Sequence, residues 1–240
     1  MTMLKKIFYI IAVAAVLAGC EKESAPKVSK VVKRMECLQG GKAICSKTYA
    51  YDGASKLTEV KVSYSGGSNM TLSFLYADES VTILNGGESY ILSLDHTGKP
   101  EKIISNEGIR TCTYGLNGYL EKFSVETGTG KYELTATNQN GNFVMISDLD
   151  GSPLKIEYTQ YENDYSIDLN SVVPIENMFT CLNSLKVNGM HSTNLVKSIT
   201  TADASYYFTY NFDAKNRVTD MVVMSTASTT SLTEHYRFTY

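Results

Sequence analysis

Residues Tyr206–Met224 read Tyr-Tyr-Phe-Thr-Tyr-Asn-Phe-Asp-Ala-Lys-Asn-Arg-Val-Thr-Asp-Met-Val-Val-Met. Aromatic residues alternate with polar ones up to Phe212, and branched-apolar residues follow from Val218. Alternation with a period of two marks a half-buried strand, and the polar run between the two segments marks a turn. The stretch therefore predicts one β-hairpin. Its frame, Asp-x-x-Asn-Arg-Val-x-x-Met from Asp213, recurs along the chain. Asp52-x-x-Ser55-Lys56-Leu57-x-x-Val60 and Asp95-x-x-Gly98-Lys99-Pro100-x-x-Ile103 match it. Gly115-x-x-Gly118-Tyr119-Leu120-x-x-Phe123 matches with Gly for the acid, and looser copies start at Asn138, Asp148 and His191. A period of about twenty residues is the mark of a repeat architecture, here a succession of similar hairpins.

Each position of the frame has a chemical reason. The leading Asp or Asn can accept hydrogen bonds from backbone N–H groups two residues on, closing a turn. Gly or Asn at the fourth position tolerates the positive φ that short hairpin loops require. The fifth position, polar or basic, leaves the turn. The sixth and ninth are apolar, and their odd separation predicts that they lie on opposite strand faces.

At the start of the chain, Lys5-Lys6 precedes the apolar run Ile7–Leu17. A basic segment followed by a short apolar one reads as a secretory signal, too short to span a membrane stably. It ends in Leu17-Ala18-Gly19-Cys20, which resembles a bacterial lipobox. That resemblance implies cleavage before Cys20, a diacylglycerol thioether on its sulfur and a fatty acyl chain, such as palmitate, on its new amino group. The expected organisation is a signal peptide over 1–19, a polar lipid-anchored tether over 20–33 and a single domain over 34–240. Glu21-Lys22-Glu23 resembles the acidic-lysine signals that send Bacteroides-type lipoproteins to the cell surface, so the expected location is the outer membrane, on its periplasmic side or outside. With 22 Lys+Arg against 25 Asp+Glu, the chain has a formal net charge of −3, evenly spread. No basic patch is present for a nucleic-acid partner.

From Val31 onward, β-branched and aromatic residues alternate with polar ones in segment after segment, as half-buried strands require. Turn dipeptides such as Gly66-Gly67, Gly86-Gly87, Asn117-Gly118 and Asn140-Gly141 separate them. Connections this short pair each strand antiparallel with its neighbour. The predicted fold class is all-β: an up-and-down meander of about fifteen strands. Open sheets rarely exceed about ten strands, so this one is expected to curl into a barrel or half-barrel. One segment departs from the pattern. Ile175, Met178, Phe179, Leu182 and Leu185 follow Pro174 at helical spacing, predicting a short helix over 174–187 that covers the sheet or plugs a mouth.

Lipobox, hairpins of the form Tyr-x-x-Asp-x-x-Gly-Lys/Arg-Leu-x-x-Val, a late helix, then Asn194-Leu195-Val196-Lys197-x-Ile199 and the Tyr206–Met224 unit together resemble a family of Bacteroides-type lipoproteins with a porin-like fold. The repeat is also similar to the tyrosine–aspartate repeat of Rhs-type proteins. These resemblances imply a fold and a location, with no activity attached.

Residues that could carry chemistry are few. His96, His191 and His235 lack neighbours at metal-ligand spacing. Asp148-Leu-Asp150-Gly-Ser resembles the opening of a calcium loop but lacks the required Gly offset and closing Glu, so it reads as a turn. No nucleophile elbow, phosphate loop or cofactor motif occurs, and neither a metal nor a cofactor is expected. Cys37 and Cys45 flank Gly40-Gly41, and a three-residue loop over 40–42 would set them opposite each other, where an oxidising compartment permits a disulfide. Cys112 and Cys181 read as buried thiols. The chain holds 17 Tyr and no Trp. Pairs such as Tyr49/Tyr51, Tyr158/Tyr161 and Tyr236/Tyr240 suit either cross-strand packing or stacking on sugar rings.

The leading expectation is a non-catalytic binding or surface-interaction module held to a membrane through Cys20, with a glycan or protein ligand. One alternative is a carbohydrate- or peptide-processing enzyme with acids inside the barrel. Another is an integral porin-like barrel, since Glu234–Tyr240 ends on an aromatic as closing strands of outer-membrane barrels do. Against the latter, many alternate positions are polar, Thr58, Lys61, Ser63, Lys131, Glu133 and Thr135 among them. These could face a wet lumen, but the opposite faces are not uniformly apolar either, and Glu59, Lys155 and Glu157 break a lipid-facing belt there. Tyr240 is therefore expected to complete the sheet as an ordinary last strand.

Overall fold

The structure, a computed structural model, describes residues 30–106, 108–128, 130–148, 153–172, 190–227 and 231–240. Sixteen strands, rather than about fifteen, run in chain order as eight hairpins. They are β1 (Arg34–Gln39) with β2 (Lys42–Tyr51), β3 (Leu57–Tyr64) with β4 (Asn69–Ala77), β5 (Ser80–Asn85) with β6 (Glu88–Leu94), and β7 (Pro100–Ser105) with β8 (Gly108–Tyr114). The second half comprises β9 (Leu120–Thr127) with β10 (Gly130–Gln139), β11 (Asn142–Asp148) with β12 (Leu154–Glu162), β13 (Asn194–Thr200) with β14 (Ala204–Phe212), and β15 (Val218–Ala227) with β16 (Ser231–Thr239). Every neighbour is antiparallel. Thr239 of β16 pairs with Arg34 of β1, so the meander closes on itself and no sheet edge is left bare.

Strand direction sorts the turns onto two ends. The frames at Asp52, Asp95, Gly115 and Asp213 all form turns at one end, together with the entry at Lys30 and the C-terminal Tyr240. The Gly40-Gly41 and Gly86-Gly87 turns lie at the other. At the first end the expected turn chemistry holds. Asp52 Oδ1 accepts from the N–H groups of Ala54 (2.9 Å) and Lys56 (2.8 Å). Asp95 does the same for Thr97 and Lys99, and Asp213 for Lys215 and Arg217. The fourth positions all adopt positive φ: Ser55 62°, Gly98 78°, Gly118 77° and Asn216 55°.

The sixth and ninth positions differ from expectation. They share the inner face: Leu57 with Val60, Leu120 with Phe123 and Val218 with Met221 are all buried. The cause is a β-bulge after each turn. Tyr51 pairs with Leu57 and Ala50 with Glu59, so Thr58 has no partner of its own. Glu121 and Thr219 are skipped in the same way. One extra residue resets the period-two alternation, and an odd separation then returns to the same face.

A barrel of sixteen strands with a round section would enclose a channel. Here Val60, Ile83, Leu92, Ile103, Leu195, Val218 and Met221, drawn from strands all round the sheet, are 0% exposed. The inward apolar side chains form one contiguous cluster, so the lumen is filled rather than open through its length. The chain between β12 and β13 helps to fill it. Tyr165, Ile167 and Leu169 are fully buried, and a 3-10 turn, Leu169–Val172, follows. The helix expected over 174–187 lies outside the described residues.

Candidate functional site: the open mouth of the barrel

The end bearing the repeat turns is sealed by tyrosines. Six hairpins close their second strand with an inward Tyr whose hydroxyl donates to a backbone carbonyl at the start of the same hairpin. Tyr51, Tyr76, Tyr114, Tyr158, Tyr210 and Tyr240 donate to Val32, Leu57, Pro100, Phe143, Val196 and Val218, at 2.7 to 2.9 Å. All but Val32 stand at the sixth position of a repeat frame. The fifth-position cation covers the ring of the same tyrosine: Lys56 Nζ lies 5.2 Å from the Tyr76 centroid, Lys99 Nζ 5.5 Å from Tyr114, and Arg217 Cζ 4.5 Å from Tyr240. Burial holds these phenols above their ordinary titration range, Tyr76 at about 12 and Tyr210 higher still. In β6 the corresponding place is taken by Leu94 and in β10 by Asn138, whose side-chain nitrogen is buried without a partner.

Polar contacts of the inner segment complete the seal. Ser166 Oγ accepts from Val32 N and meets Tyr51 OH at 2.8 Å. The Tyr165 hydroxyl accepts from Val218 N. Asn170 bonds both the carbonyl of Asn194 and the N–H of Val196. Lys30 ties the entering chain to the same segment through Asp164 (3.0 Å) and the Tyr165 ring (4.8 Å).

Among the described residues, the opposite end is not filled in this way. Inward residues near its turns are half-exposed: Tyr64 on β3 is 47% exposed, Tyr132 on β10 48% and Leu232 on β16 52%. Their direction follows from register, since Tyr132 pairs with the buried Val125 and Tyr64 follows the buried Val60 and Val62 at alternate positions. Tyr90 and Tyr206 stand at the same end, opposite Ile83 and Ile199. Charges of both signs interleave with these rings. Glu88 accepts from the Tyr90 hydroxyl at 3.2 Å, and Arg110 donates to Ser105 Oγ at 3.0 Å. Glu234 accepts from Tyr236 at 2.6 Å. Lys47, Cys45 and Cys37 occupy the sector where β1 and β2 meet β16. Burial lowers the Lys47 ammonium from its usual range and raises both thiols. This aromatic cup, with carboxylate acceptors and guanidinium and amine donors, is the candidate site.

The residues singled out from sequence distribute unevenly over this geometry. Cys20 and Cys181 lie outside the described residues. Cys37 pairs directly with Cys45, through a two-residue turn with a bulge at Leu38 and Ile44 rather than through a three-residue loop; both are free thiols. Cys112 is buried, as expected. His96 is exposed at the Asp95 turn, and His235 meets Asp220 at 3.0 Å on the outer wall. Among the described residues no three His, Cys, Asp or Glu side chains converge as a metal site would need. Most of the tyrosines considered for sugar stacking point inward: Tyr49 and Tyr236 are buried, and Tyr51, Tyr158 and Tyr240 bond backbone carbonyls at the sealed end. Sequence reasoning missed the mouth residues Tyr64, Tyr90, Tyr132 and Arg110. The available signal was their distance from the repeat frame, since each lies in the half of a hairpin away from the Asp turns.

No family model matches the chain, and no curated protein matches it in sequence. Among solved structures it is similar to a porin-like protein from Bacteroides uniformis ATCC 8492, with 16% sequence identity, a TM-score of 0.68, and coverage of 88% of this chain and 98% of that one. At that identity the likeness is one of fold: the chain adopts the porin-like barrel architecture.

Proposed function

We propose that this protein is a non-catalytic binding module of the cell envelope, hung from the outer membrane by a lipid on Cys20, and that its open mouth takes a ligand of sugar-like character. The observation that carries this reading is the asymmetry of the barrel. One end is sealed by a ring of bonded tyrosines, while the other presents half-exposed Tyr64 and Tyr132 among charges of both signs. Tyrosine faces suit the apolar face of a pyranose, and the interleaved charges suit its hydroxyls. The tether joins the barrel at Lys30, on the sealed end, so a lipid at Cys20 leaves the mouth facing away from the membrane.

The two alternatives are weaker on specific observations. An acid pair inside the barrel would need the volume that aliphatic side chains fill. A membrane-spanning barrel needs an apolar belt about 25 Å tall around its outside. The outer wall carries Lys61, Thr71, Thr111, Lys197, Thr209 and Arg237 instead. Its exposed aliphatics Leu75, Ile91, Ile104 and Ile109 cover only part of the circumference.

Two measurements test the proposal. Cys20→Ala should move the protein from the membrane to the soluble fraction; retention at the wild-type level would overturn the anchor. Titration with a panel of neutral oligosaccharides should show binding that Tyr64→Ala/Tyr132→Ala abolishes and the outer-wall change Tyr207→Ala leaves intact. Binding equally affected by both variants would place the site elsewhere.

A further inference from the structure

Cys37 and Cys45 are register partners on β1 and β2. Residues directly opposite in an antiparallel pair have Cα atoms about 4.5–5.5 Å apart, within the range a disulfide spans. Both side chains face inward at the open end. Met35 and Tyr49, at alternate positions on the same strands, are buried, while the bulge residue Ile44 is 37% exposed. Both thiols are half-buried and so within reach of a small reagent. Their surroundings differ. Lys47 lies two residues along the same face as Cys45, and its positive charge favours a Cys45 thiolate. Cys37 faces Glu234, whose negative charge disfavours a thiolate there more strongly than the Tyr236 hydrogen bond or the more weakly felt Lys47 favours one.

We propose that Cys37 and Cys45 form a redox-responsive cross-strand disulfide at the mouth of the barrel, made and broken by exchange with small-molecule disulfides. The order of events follows from the charges. The Cys45 thiolate attacks one sulfur of a disulfide RSSR, giving a mixed disulfide on Cys45 and releasing RS−, which takes up the proton lost by Cys45. Cys37 then loses its proton and attacks Cys45 Sγ, displacing the second RS−. The sum is two protein thiols and one RSSR converted to one protein disulfide and two RSH, with no other oxidant. An exported domain meets such disulfides outside the cytoplasm. The cross-link rests on export of the chain and forms whether or not the mouth holds a ligand.

The test uses the full chain and oxidised glutathione. Trypsin separates Met35–Lys42 from Ala43–Lys47, so the linkage is read directly as those two peptides joined, two hydrogens lighter than their sum, and separated again by excess reduced glutathione. Cys37→Ser should hold glutathione on Cys45, whereas Cys45→Ser should label Cys37 about tenfold more slowly. Joining of either cysteine to Cys112 or Cys181 would overturn the proposal, as would persistence of separate unmodified peptides. Equal labelling of the two variants would overturn the assigned order. Should a variant fail to fold, the peptide map of the unaltered protein still decides between these outcomes.

Discussion

Removing the hydroxyl of Tyr210 probes the seal with little change of shape. Tyr210→Phe keeps the ring against Phe212, 6.5 Å away, and deletes only the donor to the Val196 carbonyl at 2.7 Å. Val196 is buried, and its carbonyl stands at the entry to β13, where the bulge leaves the regular ladder. Water has no ready access, so the acceptor loses its partner without replacement. A buried polar group left unsatisfied costs about 1–3 kcal/mol. For a domain of this size each kcal/mol lowers Tm by about 2–4 °C. Urea unfolding followed by far-UV circular dichroism reads the change as a lower midpoint with an unaltered slope. Tyr207→Phe, three residues away on the outer wall and 47% exposed, is the control and should stay within about 0.5 kcal/mol. Tyr114→Phe, bonded to Pro100 on a distant sector, should add to Tyr210→Phe within about 0.5 kcal/mol. Equal effects of Tyr210→Phe and Tyr207→Phe would refute the role given to the tyrosine ring.

The same tyrosines set the alkaline limit. Their folded titration points lie above the ordinary value, Tyr76 at about 12, so their stabilisation is complete below about pH 10 and is lost as pH rises through the folded values. Loss of β-structure above about pH 10 should be accompanied by rising phenolate absorbance. At the acid end, the Arg217 guanidinium and backbone donors hold the Asp213 carboxyl down to about 2. Its contribution is present above the ordinary carboxylate range and is lost as pH falls toward 2, so Asp213→Asn should flatten the acid limb of a Tm-versus-pH curve; an unchanged limb would count against the turn chemistry. Gly108 has φ of +142°, and a Cβ there would strike the Glu126 carbonyl across the β8–β9 ladder. Gly108→Ala should destabilise by about 2 kcal/mol or more in the same urea assay, whereas Gly128→Ala, with open space around it, should not.

The parts of this fold that were legible in sequence are those whose causes are local. Asp213, Asn216 and Val218 announce a turn because the side chain, the positive φ and the strand entry fall within six residues. Strand alternation, antiparallel pairing and closure followed from turn length and strand number. What the frame did not disclose was its purpose. The tyrosine that each sixth-position carbonyl receives comes from fourteen to twenty-two residues further on, and only the folded hairpin brings them together. Lys56 and Arg217 read in sequence only as residues leaving a turn; in the fold they lie on tyrosine rings. The bulge was invisible for a related reason: a skipped residue such as Thr58 differs from a paired one only in its partner across the sheet. The candidate mouth was hidden because its residues belong to no repeat and converge from β3, β6, β8 and β10.

The β1–β16 pairing gives the barrel a seam that only the position of the chain ends defines. Every other ladder joins strands consecutive in the chain, and all but β12–β13, which are separated by residues 163–193, cross a short turn and so can form early and locally, with low contact order. Arg34 and Thr239 must instead find each other across nearly the whole domain, at an entropic cost on the order of 3 kcal/mol beyond that of a short hairpin. Because Lys33 N already donates to the Thr239 carbonyl at 2.8 Å, a short peptide could join Tyr240 to the segment preceding β1. Opening the chain between Gly66 and Gly67 would then leave the same sixteen-stranded ring, with the late-closing contact transferred to β3 and β4. The last ladder to become protected from hydrogen exchange during refolding would move with it, from one sector of the ring to another.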